Sequence, residues 1–262
     1  MYHIRGGKIM KKFISLLLCA AMTMALMTGC GAGSGASKAL DDGTLTVATN
    51  AEFPPFEYVG DDGQPDGFDM ALIKKIGEKL GVEVVIENME FASIVSSIGS
   101  KADVAIAGMT ITDERKQSVD FSDPYFDAVQ YVLLPADSDI ATYEDLEGKS
   151  IGCQLGTTGD FIVEEIEGAN GSQYNKAVDA VNDMLNGRLD AVIIDSNPAQ
   201  VFASNYKDQI KAVDGKQFGF EVEQYAIAMP KGDTELAGKI NQALKDLKAD
   251  GTYDELVSQY IE

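Results

Sequence analysis

Residues suited to holding a small polar ligand follow several predicted strands of this chain. Asn50 follows the first strand, Gln154 ends a later one, and Asp195 closes the apolar run 190–195. The loop 107–110 (AGMT) adds small residues and a hydroxyl after another strand. In open α/β sheets, ligands bind in the crevice outside the carboxyl ends of the strands. Since these positions bring amides, a hydroxyl and one acid to that crevice, the sequence predicts a site for a small polar ligand.

The inventory of reactive side chains argues against most enzyme classes. His3 is the only histidine, and it precedes everything that resembles a folded domain. Ser–His, Cys–His and histidine–metal chemistry are therefore excluded in the folded domain. Of the three cysteines, Cys19 and Cys30 belong to the N-terminal leader and its attachment motif, so Cys153 has no partner for an intrachain disulfide or a thiolate metal cluster. An enzyme would have to use carboxylates, lysine, tyrosine or a Ser/Lys pair. We therefore expect no catalysis, no metal and no cofactor.

The charge balance excludes a further class of partner. The 262-residue chain has 21 Lys+Arg against 42 Asp+Glu, a formal net charge of −21. Four basic residues and no acid precede Cys30, so a chain beginning there would carry 17 Lys+Arg against 42 Asp+Glu, a net charge of −25. Such a field repels phosphates, and we expect no nucleic-acid partner.

A leader with a lipid-attachment motif is predicted over residues 1–29. The positive segment 10–12 (MKK) is followed by the 16-residue apolar run 13–28, shorter than the roughly 20 residues of a membrane span and typical of a signal peptide. The segment 27–30 (MTGC) resembles a bacterial lipobox, which implies cleavage before Cys30 and acylation of that cysteine. A secreted protein with a chance cysteine is the alternative.

The residues from Cys30 onward and the first nine residues of the chain both bear on this interpretation. Residues 30–43 begin with a Gly/Ser-rich stretch, the flexible tether that a domain anchored to the outer face of the membrane needs. Residues 1–9 (MYHIRGGKI) add nothing to a leader that is complete from Met10. Because Arg-Gly-Gly can be encoded by a purine-rich ribosome-binding sequence, our hypothesis is that Met10 is the true start.

From Thr44 onward the pattern alternates between strands and helices, which indicates an α/β protein. Two successive βα runs indicate two lobes, with apolar strands at 129–135 and 224–230 as the crossings between them. A hairpin is predicted over 56–68. The other predicted strands are 44–50, 82–87, 103–107, 150–154 and 190–195, and the predicted helices are 69–80, 91–99, 158–167, 177–188, 197–206, 233–249 and 253–261.

Five motifs occur in a fixed order from Thr44 to the end of the chain. They are 49–58 (TNAEFPPFEY), 67–72 (GFDMAL), 107–115 (AGMTITDER), 120–126 (DFSDPYF) and 156–160 (GTTGD). In this respect the chain resembles the family-3 extracellular solute-binding proteins, the polar amino-acid receptors of ABC importers. One departure is Ala71, where the family signature usually has an acid.

The resemblance implies a periplasmic-binding-protein-like fold. Two α/β lobes are joined by two crossover strands, and the ligand binds in the cleft. Residues 44–128 plus 230–262 are expected to form lobe 1, and residues 129–229, with the crossover strands, lobe 2.

The resemblance also implies which residues hold the amino-acid backbone of a ligand. Arg115 matches the arginine that holds the α-carboxylate, a role that suits the two parallel donors of a guanidinium. Thr158, at a helix start, matches a backbone N–H donor to the same carboxylate. The α-ammonium is expected to meet the carbonyl of Gly108 and the carboxylate of Asp195. Thr110 matches a position that gives both a hydroxyl and a backbone N–H.

Other positions are implied to contact the ligand's side chain. Phe53 and Phe91 match aromatic walls, although on their own both are more typical of core. Asn50 and Gln154 match positions that tune specificity, and Glu52 and Glu223 are weaker candidates. The full set of predicted ligand-binding residues is Asn50, Phe53, Phe91, Ala107, Gly108, Thr110, Arg115, Gln154, Thr158 and Asp195.

The implied function is capture of one free amino acid by lobe closure and its delivery to a membrane permease driven by an ATPase. A zwitterion would satisfy groups from both lobes at once, so it would stabilise the closed state. We expect a monomer, attached to the membrane through its lipid. A ligand-sensing domain and a dehydratase-type enzyme on the same fold are the alternatives from other functional classes.

The amino acid itself is predicted from the charges of the pocket. An acidic ligand is disfavoured, because its second carboxylate would need a cation besides Arg115. A glutamine-like ligand suits the amides of Asn50 and Gln154. Arginine or lysine, which we favour, suits the aromatic walls together with an acid that meets the cationic head. The acids considered for that contact are Glu52, Asp160 and Glu223.

Overall fold

The computed structural model describes residues 40–262. The predicted signal peptide 1–29, the question of residues 1–9, the lipid attachment at Cys30 and all but the end of the tether 30–43 lie outside the described residues. Within the described part, no helix is long and apolar enough to span a membrane.

Strands and helices alternate through the described chain. The strands are β1 (Thr44–Thr49), β2 (Glu52–Phe53), β3 (Glu57–Val59), β4 (Pro65–Asp66), β5 (Glu83–Asn88), β6 (Val104–Ala105), β7 (Val119–Phe121), β8 (Phe126–Pro135), β9 (Ser150–Gln154), β10 (Asn170–Tyr174), β11 (Ala191–Asp195), β12 (Ile210–Asp214), β13 (Val222–Tyr225) and β14 (Ala228–Pro230). The α-helices are α1 (Phe68–Leu80), α2 (Ile94–Ser97), α3 (Arg115–Ser118), α4 (Thr158–Glu165), α5 (Ala177–Leu185), α6 (Ser196–Asn205), α7 (Thr234–Ala249) and α8 (Thr252–Tyr260).

A five-stranded sheet with the order β5-β1-β6-β14-β7 builds the part that we call lobe 1. β1 runs parallel to β5 and β6, whereas β14 pairs antiparallel with β6 and β7. Helix α1 buries Leu72, Ile73 and Ile76, which share one face because they recur at helical spacing. It ends at Gly81, whose φ of 72° is the left-handed conformation that glycine adopts most readily. The lobe thus packs an amphipathic helix against its sheet, as the sequence predicts.

A second sheet, with the order β10-β9-β11-β8-β12, builds lobe 2. β9 runs parallel to β10 and β11, while the long strand β8 is antiparallel to β11, β12 and β13. The carboxyl ends of β9 and β11 therefore lie at one edge of the sheet. That edge carries Gln154 and Asp195, the last residues of the two strands.

The predicted strand 224–230 is two strands rather than one. β13 pairs with β8 of lobe 2, and β14 pairs with β6 and β7 of lobe 1. Between them, the N–H of Ala226 donates to Met109 O over 3.1 Å and that of Ile227 donates to Ser122 Oγ over 3.0 Å. Because residues 225–229 are all buried, the apolar pattern does not reveal the break.

The chain changes sheets slightly earlier than the predicted lobe boundaries. β8 starts at Phe126, whereas the pattern places the boundary after residue 128. β14 belongs to the lobe 1 sheet from Ala228, whereas the pattern keeps residues up to 229 in lobe 2. Aromatic rings pack at this junction: Phe56 lies 4.9 Å from Phe126 and 5.3 Å from Tyr225, measured between ring centroids. Both pairs are edge-to-face, an arrangement that fixes ring orientation as well as burying apolar area.

Candidate functional site: a closed cleft between two lobes

All ten residues predicted to bind a ligand line one cavity between the lobes. Most of them follow β1 or β6, end β9 or β11, or begin a helix, so the carboxyl ends of parallel strands meet there. Glu57 and Thr157 line the same cavity and are not among the predicted residues. The predicted residues in its wall are Asn50, Phe53, Phe91, Ala107, Gly108, Thr110, Arg115, Gln154, Thr158 and Asp195.

Arg115 brings a buried cation to the cavity wall from the first residue of α3; the residue is only 7% exposed. Its Nη1 donates to Thr110 O over 2.7 Å, and its Nη2 donates across the cleft to Gly156 O over 3.0 Å. Burial lowers the pKa of Arg115 from its ordinary value, and the negative charges of Glu223 and Asp195 act in the opposite direction. Since a guanidinium remains charged in proteins, the cavity contains a fixed positive group.

The loop before Thr158 is organised by side chains of lobe 2. Thr157 caps helix α4, because its hydroxyl accepts from the N–H of Asp160. The Asp160 carboxylate in turn accepts from Gly156 N–H over 2.9 Å and from Gln173 Nε2 over 2.9 Å. The helix thus begins at Thr158 with its first N–H groups at the cavity, where backbone donors and the helix dipole favour an anion.

Glu57 places a buried carboxyl group in the wall of the same cavity. It is fully buried at the start of β3, and no N–H or hydroxyl group of the described residues donates to its oxygens. Burial raises the pKa of Glu57 well above its ordinary value, and the charge of Asp69 and a hydrogen bond between the two carboxyl groups raise it further. Burying a carboxyl group away from donors is costly, so this position favours a ligand group that can donate to it.

Two further buried acids, Asp195 in the cavity wall and Asp69 behind it, each accept a hydrogen bond from a tyrosine. Asp69 Oδ2 accepts from the N–H of Gly108 and from the hydroxyl of Tyr125, both over 2.8 Å. Burial raises the pKa of Asp69 to about 6, against the lowering effect of these bonds. Asp195 Oδ1 accepts from Tyr225 Oη over 2.5 Å. Burial, and next the charge of Glu223, raises the pKa of Asp195 to about 7.

The aromatic residues of the wall differ in what they contact. Phe53 stacks on Phe56 with ring centroids 5.9 Å apart. Gly108, with a φ of 51°, lies so close to Phe53 that a Cβ there would come within 2.8 Å of its ring. Phe91 lies under the guanidinium of Arg115, 5.4 Å from ring centroid to Cζ. Phe91 therefore makes its cation–π contact with the protein's own arginine.

The three acids considered for a cationic head do not line the cavity. Glu52 pairs with Lys176 of lobe 2 over 2.6 Å, and Asp160 is occupied within the loop of lobe 2. Glu223 accepts from the hydroxyls of Thr110 and Thr158. That expectation is wrong for all three, and Glu57 lies at the cavity instead. One signal marks Glu57 in the sequence: it is an acid inside the apolar motif PPFEY.

Comparisons with known proteins agree with this architecture. The sequence model of one protein family, the bacterial extracellular solute-binding proteins, family 3, matches residues 45–262 of this chain. The chain is 35% identical over 257 residues to the arginine-binding extracellular protein ArtP of Bacillus subtilis, covering 96% of this chain and 98% of that one. It is 32% identical over 259 residues to a probable histidine-binding protein of Neisseria gonorrhoeae, covering 96% of both.

Solved structures extend the likeness to three dimensions. An ancestral arginine-binding protein bound to arginine is 41% identical, with a TM-score of 0.79 over 84% of this chain and 99% of the other. The ancestral amino acid-binding protein AncCDT-1, a precursor of cyclohexadienyl dehydratase, is 35% identical, with a TM-score of 0.79 over 86% of this chain and 98% of the other. The relatives of Bacillus subtilis and Neisseria gonorrhoeae are binding proteins and not enzymes. This chain belongs to family 3 of the bacterial extracellular solute-binding proteins.

Proposed function

We propose that this protein captures arginine or lysine in the cleft and delivers it to the permease of an ABC importer. The observation that carries the proposal is the presence of a buried guanidinium, Arg115, and a buried carboxyl group, Glu57, in one cavity wall. Arg115 complements an α-carboxylate. Glu57 complements a cationic side chain, because no N–H or hydroxyl group of the described residues donates to its oxygens and a cation beside it favours its charged form.

The remaining groups fit the amino-acid end of such a ligand. Asp195 and the carbonyl of Gly108 accept from an α-ammonium, and the first N–H groups of α4 at Thr158 donate to the α-carboxylate. Lobe 1 supplies Arg115 and Gly108, whereas lobe 2 supplies Thr158 and Asp195. A zwitterion that joins both sets stabilises the closed form through its differential affinity for that form. The relatives of this chain include arginine-binding proteins, which supports the same ligand class.

The delivery step rests on the family and on the predicted leader. A lipid on Cys30 would hold the protein at the outer face of the cell membrane, and the tether 30–43 would let a monomeric body reach the permease. The permease then passes the amino acid inward with energy from its ATPase.

Glutamine or another neutral polar amino acid is the alternative ligand, and a ligand-sensing domain is the alternative role. A dehydratase-type enzyme on this fold is a third alternative, because AncCDT-1 is a precursor of one. Incubation with the bound amino acid and mass spectrometry of the products tests that third alternative.

A thermal-shift screen of the twenty amino acids tests the proposal directly. A ligand that binds only the native state raises the melting temperature, and the stabilisation grows with the logarithm of the ligand concentration divided by its Kd. We expect the largest shifts with arginine and lysine. Stabilisation by glutamine, with none by either basic amino acid, would overturn the assignment.

A further inference from the structure

Glu223 joins two threonines that belong to opposite lobes. It lies on β13, and its Oε2 accepts from Thr110 Oγ over 2.6 Å and from Thr158 Oγ over 2.8 Å. Both threonines line the cavity, whereas Glu223 lines the groove behind them. One carboxylate oxygen therefore connects lobe 1 to lobe 2 directly behind the amino-acid site.

The backbone holds Glu223 in register with the lobe 1 loop. Ile111 N–H donates to Gln224 O over 2.9 Å, Ala226 N–H donates to Met109 O over 3.1 Å, and Thr110 forms a bridge with Tyr225. These contacts fix the loop 109–111 alongside β13. The distance between Glu223 and Thr110 is therefore set by the fold.

A third polar side chain completes the arrangement in lobe 2. Gln130 Nε2 donates to Thr158 Oγ over 3.0 Å and to Glu223 Oε2 over 3.4 Å. A hydroxyl has one hydrogen to donate and two lone pairs. Thr158 gives its hydrogen to Glu223 and one lone pair to Gln130, so one lone pair is left for the cavity.

These contacts determine which kind of ligand group the two hydroxyls can meet. An ionised carboxylate has acceptors and no donor, so both hydroxyl hydrogens point at Glu223. The hydroxyls of Thr110 and Thr158 then offer only lone pairs to the cavity. A lone pair accepts from an ammonium group and repels a carboxylate oxygen.

We propose that Glu223 is a positioning residue that turns both hydroxyls into acceptors for the ligand's α-ammonium. The inference rests on the proposed function, since it concerns the amino-acid end of the same site. Glu223 acts through the two threonines and has no contact of its own with the ligand. It also makes ammonium recognition depend on closure, because the two acceptors come from different lobes.

Removing the α-amino group from the ligand tests this role. The probes are arginine and 5-guanidinopentanoic acid, which is arginine without that group, and the measurement is calorimetric affinity. Glu223→Gln replaces two of the acceptor sites by donors and so removes the fixed direction of the hydroxyls. We expect it to weaken arginine binding about tenfold or more, the size of a lost bond to a charged group, and to leave 5-guanidinopentanoic acid within about threefold.

A matched control removes the same charge at a position that does not contact the two threonines. Glu221→Gln makes the same change at an exposed position two residues earlier, and we expect it to leave both affinities unchanged. Equal weakening of both ligands by Glu223→Gln, or no weakening of arginine, would overturn the inference. If that variant does not fold, as judged by its ligand-free melting curve, Thr158→Val must show the same selective loss.

Failure of the proposed function can be distinguished from failure of this inference. If the unaltered protein binds no arginine, the assigned ligand is wrong. The same comparison is then made with glutamine and glutaramic acid, which is glutamine without its α-amino group.

Discussion

Asn50 and Gln154 bond directly to each other across the cleft. Gln154 Nε2 donates to Asn50 Oδ1 over 2.9 Å, and it also donates to Asn175 O over 2.9 Å. Asn50 Nδ2 in turn donates to Met89 O over 2.9 Å. The NH₂ groups of both amides therefore donate to protein oxygens. This weakens the interpretation of Asn50 and Gln154 as partners for a glutamine side chain, and it indicates a role in holding the lobes together.

Gln154→Met is expected to weaken binding of every ligand to a similar extent. The substitution keeps the volume and removes the cross-cleft bond, which contributes about 0.5–1.5 kcal/mol to the closed state. The order of affinities for arginine, lysine and glutamine is expected to stay the same, as measured by calorimetry. Gln242→Met, on the exposed face of α7, is the control. A reversed order of ligands would show that Gln154 selects the side chain after all.

Arg115→Ala is expected to abolish most of the affinity for any amino acid. The change leaves the ligand's α-carboxylate without its bidentate partner in a closed cleft, a loss of about 2–5 kcal/mol in binding free energy. Arg188→Ala is the control, because Arg188 is an exposed arginine paired with Asp183 at the surface. Binding by Arg115→Ala as tight as that of the control would contradict the site.

Glu57→Gln is expected to discriminate between cationic and neutral ligands. Arginine and lysine lose the carboxylate that meets their head group, at a cost of about 2–5 kcal/mol, while glutamine keeps its affinity or gains. Glu83→Gln, on the exposed side of the edge strand β5, is the matched control. The measurement is the ratio of arginine to glutamine affinity in each variant. An unchanged ratio would mean that Glu57 does not contact the ligand's side chain.

Part of the cavity wall could be predicted from sequence, because Asn50, the loop 107–110, Gln154 and Asp195 follow or end strands. The carboxyl ends of parallel strands meet at one edge of a sheet. Gly108 lies in that loop, where the backbone approaches the ring of Phe53 and a side chain would clash. Local pattern therefore indicates these positions, whereas Phe91 and Arg115 were predicted from the resemblance to the family.

The charges around the cavity could not be predicted in the same way. Glu52 forms an ion pair with Lys176, and Glu223 accepts hydrogen bonds from Thr110 and Thr158, through contacts between residues far apart in sequence. Glu57 lies in a predicted hairpin, where an acid is usually exposed. It is buried in the structure, next to Phe56, which packs at the junction of the lobes. These pairings depend on how the two lobes close, which no local spacing encodes.

Two strands of the lobe 2 sheet, β10 and β12, were not predicted. β10 (NGSQY) and β12 (IKAVD) lie at the two edges of the lobe 2 sheet, so each pairs with a single strand of that sheet. An edge strand needs little apolar area, and its sequence lacks the alternation that marks a buried strand.

Asp69→Asn is expected to stabilise the ligand-free protein at neutral pH. Because the pKa of Asp69 is about 6 in the folded state and 3.8 ordinarily, the folded state holds a proton there that the unfolded state loses. This contribution to the free energy of unfolding is complete below about pH 4, is lost as the pH rises to about 6, and is constant above; the fall is on the order of 3 kcal/mol. Asparagine does not titrate, so the variant avoids this fall.

The neighbours of Asp69 favour the substitution as well. The asparagine oxygen still accepts from Gly108 N–H and Tyr125 Oη, and its NH₂ replaces the oxygen that has no partner, beside the carboxyl of Glu57. Urea denaturation at pH 4.5, 6 and 7.5 measures the effect, with Asp61→Asn at an exposed turn as the control. The advantage of Asp69→Asn over the unaltered protein should grow from pH 4.5 to 6 and level off by pH 7.5. A difference that does not depend on pH would mean that Asp69 does not titrate in this range.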